Sequence, residues 1–225
     1  MSKREITMKK MPPNSNIFIF DIDGTICNLD KSFIDTAYAL SMLDGIDEET
    51  INSRCYIRLS DCGFITESDE AKVIKLFDVF HVWENLDIIP FSNDFIRKIT
   101  EKGCYLIYLT ARPDYLRSQT IKWLKSNGFP SPSNEDANMN ERTTLVMRNK
   151  YSEKEENLLT VLNFHVNNNL FYFENDPLLI KKISDNKIKC IYTFENNFTH
   201  SHSFNSNVVK IKSYNDIDVE KLLKK

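Results

Sequence analysis

An α/β protein built on a doubly wound parallel sheet, with a helical segment inserted after the first strand, is the fold class that three features of the sequence predict. Apolar runs of strand length recur at 17–20 (IFIF), 104–110 (CYLIYLT), 170–173 (LFYF) and 189–194, each followed by a polar loop and a helical pattern. That order is the signature of a parallel sheet covered by helices on its faces. The runs at 17–20 and 170–173 end in acidic residues, and all the ligand-type loops follow strands, so they gather on one sheet edge. Between 30 and 87 the spacing is helical and shows no strand alternation.

The first strand delivers Asp21 and Asp23 to its C-terminal end, with Gly24 and Thr25 directly behind. Carboxylates one residue apart ordinarily point to opposite faces of a strand. Gly24 lets the backbone bend, so one side chain and one main-chain carbonyl can enter the same site. Hard oxygen donors of this kind suit Mg²⁺.

The insertion divides the chain into a core of 14–29 and 88–225 and a helical segment of 30–87. Asp30 is placed to cap a helix over 31–43, with Phe33, Ala37, Leu40 and Leu43 on one stripe. A second helix starts near Asp47, and a third starts at Thr66 or Ser68 and carries Val73, Leu76, Phe77, Phe80 and Trp83 as far as about Leu86. Residues 1–13 are basic, lack the apolar core of a secretory signal and read as a flexible leader stopped by Pro12-Pro13.

Beyond Pro90 a helix over 94–101 ends at Lys102-Gly103. The run 104–110 then reads as a central strand ending in the hydroxyl of Thr110, at the start of a loop and a helix over 115–126. Such an end offers side-chain and backbone donors to a phosphate, here from Thr110 and Ala111, with Arg112 either a further phosphate contact or part of a surface ion pair. Residues 131–142 read as a loop and 144–148 as a short strand. Ser152 to Glu155 has capping-box spacing and opens a helix to about Leu162. After the strand 170–173 come Glu174, Asn175 and Asp176, then Pro177 in the first turn of a helix to about Asp185. Strands at 189–194 and 208–212 and a helix over 216–223 complete the chain. His200 and His202, in a polar loop, lack the neighbours of a tetrahedral metal site.

Composition narrows the classes of function. With 225 residues, 41% hydrophobic and 27% charged, the chain is an ordinary globular protein of one substantial domain and a smaller insertion. A net charge of -3 carries no overall attraction to nucleic acid or membrane, and no apolar run reaches spanning length. Five cysteines at irregular spacing form neither a disulfide framework nor a metal motif. They read as reduced, mostly buried thiols of a cytoplasmic protein.

Asp21-Ile22-Asp23-Gly24-Thr25, following an apolar strand, resembles the first motif of the haloacid dehalogenase-like (HAD) phosphohydrolases. The resemblance implies a Rossmann-like core with a small helical cap formed by the insertion, Asp21 as nucleophile, Asp23 as acid/base, and Mg²⁺ as cofactor. Thr110 matches the second motif. The string LTARPDYLRSQTIKWLKSNGFP and the LxMR pattern at 145–148 are also similar to polynucleotide kinase phosphatase domains and to related phage-type and bacterial phosphatases. The third motif is a lysine near a helix start, for which Lys154 is preferred and Lys150 is the alternate. The fourth falls at 174–176, where many members have two adjacent aspartates and this chain offers Glu174 or Asp176 as the acidic metal ligand, with Asn175 as a neutral one. The implied activity is hydrolysis of a phosphomonoester through an aspartyl-phosphate. The expected substrate is a nucleotide or other small phosphate ester, or alternatively a polynucleotide 3′-phosphate end; neither a membrane nor an obligate protein partner is expected. A catalytically weakened binding or regulatory protein is the rival reading.

Overall fold

The computed structural model describes residues 10–54, 59–132, 142–149, 153–184, 187–196, 199 and 202–224, without the side chains of 52–54. Six strands, β1 (Asn16–Phe20), β2 (Tyr105–Pro113), β3 (Thr143–Arg148), β4 (Asn169–Phe173), β5 (Cys190–Phe194) and β6 (Val208–Ile211), pair in the order β3-β2-β1-β4-β5-β6. Every pairing is parallel. The doubly wound sheet expected from the sequence is therefore present.

The pleat of β1 sorts the core into two layers. Ile17 and Ile19 pack with Leu158 and Val161 of α6 (Lys154–Phe164) and with Leu179 and Ile180 of α7 (Pro177–Ile183). Phe18 and Phe20 face the other way, onto Phe95, Ile96 and Ile99 of α4 (Ser92–Glu101), Ile121 and Leu124 of α5 (Arg117–Ser126), and Leu222 of α8 (Val219–Leu223). On that second face the rings of neighbouring strands stack, Phe18 on Phe171 at 4.7 Å and Phe20 on Phe173 at 4.4 Å between centroids. Burial on both faces is why these strands read as unbroken apolar runs rather than alternating ones. Because β2 lies on one side of β1 and β4 on the other, the winding direction reverses at β1, and the crevice at such a reversal is where α/β sheets bind ligands.

The insertion holds α1 (Leu29–Ala39), α2 (Glu48–Arg54) and α3 (Glu67–Val79). It leaves and rejoins the sheet through a narrow antiparallel neck, in which Asn28 N donates to Asp87 O at 2.8 Å and Ile89 N to Ile26 O at 2.9 Å. Ile34, Ala37, Leu43, Ile51, Leu59 and Ile65 give it a small core of its own. Its last turn is tied back to the sheet layer, with the Trp123 indole donating to Leu86 O at 2.7 Å and the Tyr115 hydroxyl to Asp78 at 3.1 Å.

Several local expectations are corrected. Asn28, not Asp30, occupies the N-cap of α1 without a side-chain bond, so Asp30 lies inside the first turn. That helix stops at Ala39 rather than near Leu43 because Ser41 takes a positive φ of 55°. Thr66 does cap α3, accepting from Asp69 N, but the helix ends at Val79, and Trp83 sits in a separate short turn, Val82–Glu84, behind the left-handed His81. The α6 capping box is centred on Glu153 with Glu156 instead of on Ser152. Met11 is buried against the α6 and α7 layer, so the packed chain begins inside the expected leader. Cys27 and Cys104 are buried thiols. The loop at 133–141, Lys150 and His200 lie outside the described residues. Among the described residues no helix is long and apolar enough to cross a membrane.

Candidate active site

The carboxylates at the ends of β1 and β4 arrive at the same level. Phe20 pairs with Phe173 in register, and Asp21 N donates to Phe173 O at 2.9 Å. Between Asp21 and Glu174 stands the ammonium of Lys154, the first residue of α6. It lies 2.9 Å from Asp21 Oδ1 and 2.8 Å from Glu174 Oε2. Burial alone would depress the lysine's pKa, but the two carboxylates more than reverse this, and the group stays cationic well above neutral pH. Burial pushes the Asp21 carboxyl well above the ordinary carboxylate range; Lys154 opposes the shift, while Glu174 and Asp23 add to it. The sequence preference for Lys154 as the site lysine agrees with this placement.

Glu174 is saturated. Its Oε1 accepts from the backbone N–H of Asn175 and of Asp176, both at 3.0 Å, and its Oε2 accepts from Lys154 and from the buried Tyr172 hydroxyl in a short contact. Asp176 is the N-cap of α7, its Oδ1 accepting from Leu178 N at 2.8 Å and Leu179 N at 3.2 Å. Of the two acids expected as metal ligands, Glu174 is turned onto Lys154 through Oε2, and Asp176 uses Oδ1 to close a helix end that begins with Pro177. Asn175 is the residue of the three that reaches the first loop. A Cβ placed on Gly24 would stand 2.0 Å from Asn175 Nδ2, so only a glycine there admits the amide, and Gly24 also needs its positive φ of 77°.

Arg112 is likewise placed differently from the expectation of a phosphate contact or a surface ion pair. In the pairing of β2 with β3, Thr110 faces Met147 and Pro113 faces Arg148, so Ala111 and Arg112 have no partner on β3. This irregularity re-aims the arginine, as bulges beside active sites do. The guanidinium is buried against Asp23, with Nε 3.2 and 3.0 Å from the two carboxylate oxygens and Nη2 2.7 Å from Oδ1. Thr110, fully buried, accepts from Arg112 N at 3.1 Å through its hydroxyl oxygen, which leaves the hydroxyl hydrogen to donate. Ala111 is exposed beside it.

Two further groups border the site. Cys27 Sγ lies 3.5 Å from Arg112 Nη2, and burial, then Asp23, push its thiol well up, which makes it a poor nucleophile. Asp30 is an exposed residue of α1 whose carboxyl is pushed up to about 6 by desolvation and by the charge of Asp23.

The residues fit a divalent cation in kind. Asp21 is hydrogen-bonded to Lys154 through Oδ1, so its second oxygen, the Asp23 main-chain carbonyl and the Asn175 amide oxygen are among the hard donors that remain. Mg²⁺ is commonly held by one or two carboxylates together with substrate phosphate. Among the described residues no group of three or more acids, histidines or cysteines forms a denser site. Sequence reading missed the roles of Tyr172, Thr120 and the two tryptophans around Arg112. Only Tyr172 carried a signal, lying two residues before Glu174 on the same strand face.

Comparison with known proteins agrees with this architecture. A family model described as PITM 1-3, LNS2 domain, matches residues 76–176. A predicted phosphatase from Clostridium acetobutylicum superimposes with a TM-score of 0.55 at 14% identity, covering 94% of this chain and 97% of that one. A Burkholderia xenovorans LB400 protein, provisionally assigned as a haloacid dehalogenase-like hydrolase, gives 0.55 at 12% identity over 93% and 99% of the two chains. CbbY from Rhodobacter sphaeroides, solved with xylulose-(1,5)bisphosphate, gives 0.53 at 13% identity over 89% and 95%. The chain thus has the fold of the HAD-like hydrolases. A search of curated proteins found no match.

Proposed function

We propose that the protein is a Mg²⁺-dependent phosphomonoester hydrolase that works through an aspartyl-phosphate on Asp21. The observation that carries this reading is the buried ammonium of Lys154 bridging Asp21 and Glu174, at 2.9 and 2.8 Å, at the strand ends of a HAD-type sheet. A carboxylate held this way keeps one oxygen for attack and has a fixed cation beside it to meet the phosphoryl charge.

In the first step Asp21 attacks phosphorus, the ester P–O bond breaks, and the leaving oxygen takes a proton from Asp23. In the second, Asp23 takes a proton from water, the water oxygen attacks phosphorus, and the bond to Asp21 breaks to release inorganic phosphate. Thr110 donates its hydroxyl hydrogen to a phosphoryl oxygen, with the Ala111 amide beside it. Asp21, the Asp23 carbonyl and Asn175 would hold Mg²⁺, which would supply positive charge to the phosphate. The insertion limits access and excludes water, which supports a nucleotide or other small phosphate ester over a polynucleotide end.

Hydrolysis of 4-nitrophenyl phosphate that requires Mg²⁺ and disappears in Asp21→Asn is the expected result. Inactivity of the wild type across a broad phosphate-ester panel overturns the reading, as does retained activity in Asp21→Asn. Nucleoside monophosphates compared with 3′-phosphorylated oligonucleotides separate the two substrate classes. A second reading, a phosphate-ester-binding protein with weakened catalysis, draws on Asn175 standing where many HAD enzymes have an acid. It predicts binding of the same esters without turnover.

A further inference from the structure

The most deeply buried cation near the site is an arginine paired with Asp23. The Arg112 side chain is 1% exposed. One edge grips both oxygens of Asp23. Nη1 donates to Thr120 Oγ1 at 3.3 Å and Nη2 to Cys27 Sγ at 3.5 Å. Two indoles flank the group, with Trp83 5.2 Å and Trp123 5.7 Å from the guanidinium carbon. Trp123 belongs to α5 of the sheet layer, whereas Trp83 belongs to the last turn of the insertion. Trp83 is itself held by its indole donating to Asp78 of α3 at 2.8 Å and by edge contact with Phe77 at 5.4 Å.

We infer that Arg112 is a positioning residue that fixes the Asp23 carboxylate for proton delivery, and that Trp83 makes this positioning depend on how the insertion is seated. A two-pronged guanidinium fixes the plane of a carboxylate, which a lysine's point charge does not. Asp23 sits on a loop beyond the strand end, where Arg112 contacts both of its carboxylate oxygens and the Cys27 thiol also bonds to it. Since the insertion supplies one wall of the arginine's slot, a displaced insertion loosens the same carboxylate that transfers the proton. The inference rests on the phosphatase reading and assigns a function to the buried pair within it.

The test uses kcat/KM, which reports departure of the leaving group, on a graded series from 4-nitrophenyl to 4-methoxyphenyl phosphate. A good leaving group needs little protonation and a poor one needs much, and positioned acid catalysis is worth roughly a hundredfold or more. Arg112→Lys and Trp83→Leu are expected to stay within about threefold of wild type on 4-nitrophenyl phosphate and to fall about tenfold or more on 4-methoxyphenyl phosphate. Trp83→Phe, which keeps an aromatic face, is expected to recover most of the loss. Thr120→Val removes only the Nη1 contact and is expected to show the same selectivity in smaller measure. If Arg112→Lys does not fold, the Trp83 and Thr120 variants decide. Equal losses across the series, no loss, or a gain on the poor leaving groups overturns the inference. A wild type that hydrolyses none of the esters instead overturns the phosphatase reading.

Discussion

Replacing Lys154 with methionine removes the charge that two buried carboxylates share and leaves their packing volume nearly unchanged. The side chains of Asp21 and Glu174 are 5% and 0% exposed, so solvent screens them little. At about 3 Å and an effective dielectric of about 20, each attraction to the ammonium is on the order of 5 kcal/mol. Desolvation of the ammonium offsets much of that sum, and breaking a buried pair by deleting one partner costs about 3–5 kcal/mol in practice. We expect a loss of that size at neutral pH. Its pH dependence has a defined sign. Lys154 is the group that lowers the Asp21 pKa against burial and Glu174, so in Lys154→Met the folded-state value rises further. A raised carboxylate contributes stability that is complete below its unfolded pKa and lost as pH rises through the folded one. The deficit of the variant is therefore larger at pH 8 than at pH 5. Urea unfolding of both proteins at a series of pH values measures it. A variant as stable as wild type, or a deficit that grows on acidification, refutes the reasoning.

Asn175→Asp is expected to tighten Mg²⁺ binding by about tenfold and to lower the stability of the metal-free protein, because it adds a third carboxylate beside Asp21 and Glu174. Calorimetric titration with Mg²⁺ and thermal melts with and without the ion read both effects; unchanged affinity would show that Asn175 lies outside the metal shell. Asp30→Asn is expected to raise the melting temperature above pH 7, with the gain shrinking as pH falls through about 6 and absent near pH 4. The folded pKa of about 6 exceeds the ordinary 3.8, so wild-type Asp30 loses its stabilising contribution across that window. Equal shifts at pH 4 and pH 8 would remove Asp23 and burial as the cause.

The sequence by itself determined the parallel sheet, because strands buried on both faces must be apolar throughout, as at 17–20 and 170–173. It also located the strand that carries the first acids of the site, since Asp21, Asp23 and Gly24 are neighbours in the chain and their effect on the backbone is local. Lys154 was legible for a similar reason: a helix start after a strand places its first residues at the ligand edge. The partners of the remaining charges were not legible. Glu174 and Asp176 were read as metal ligands, but which acid faces a cation depends on hydrogen bonds to Lys154, Tyr172 and the first amides of α7. Arg112 was read toward phosphate, but an irregularity in its pairing with β3 turns it onto Asp23, 89 positions away in sequence. The sequence names carboxylate and guanidinium groups but not the directions in which they point. Their roles are decided by which oppositely charged or donor groups the tertiary fold brings within about 3 Å, and that distance exists only once the sheet, the neck and the last turn of the insertion are assembled.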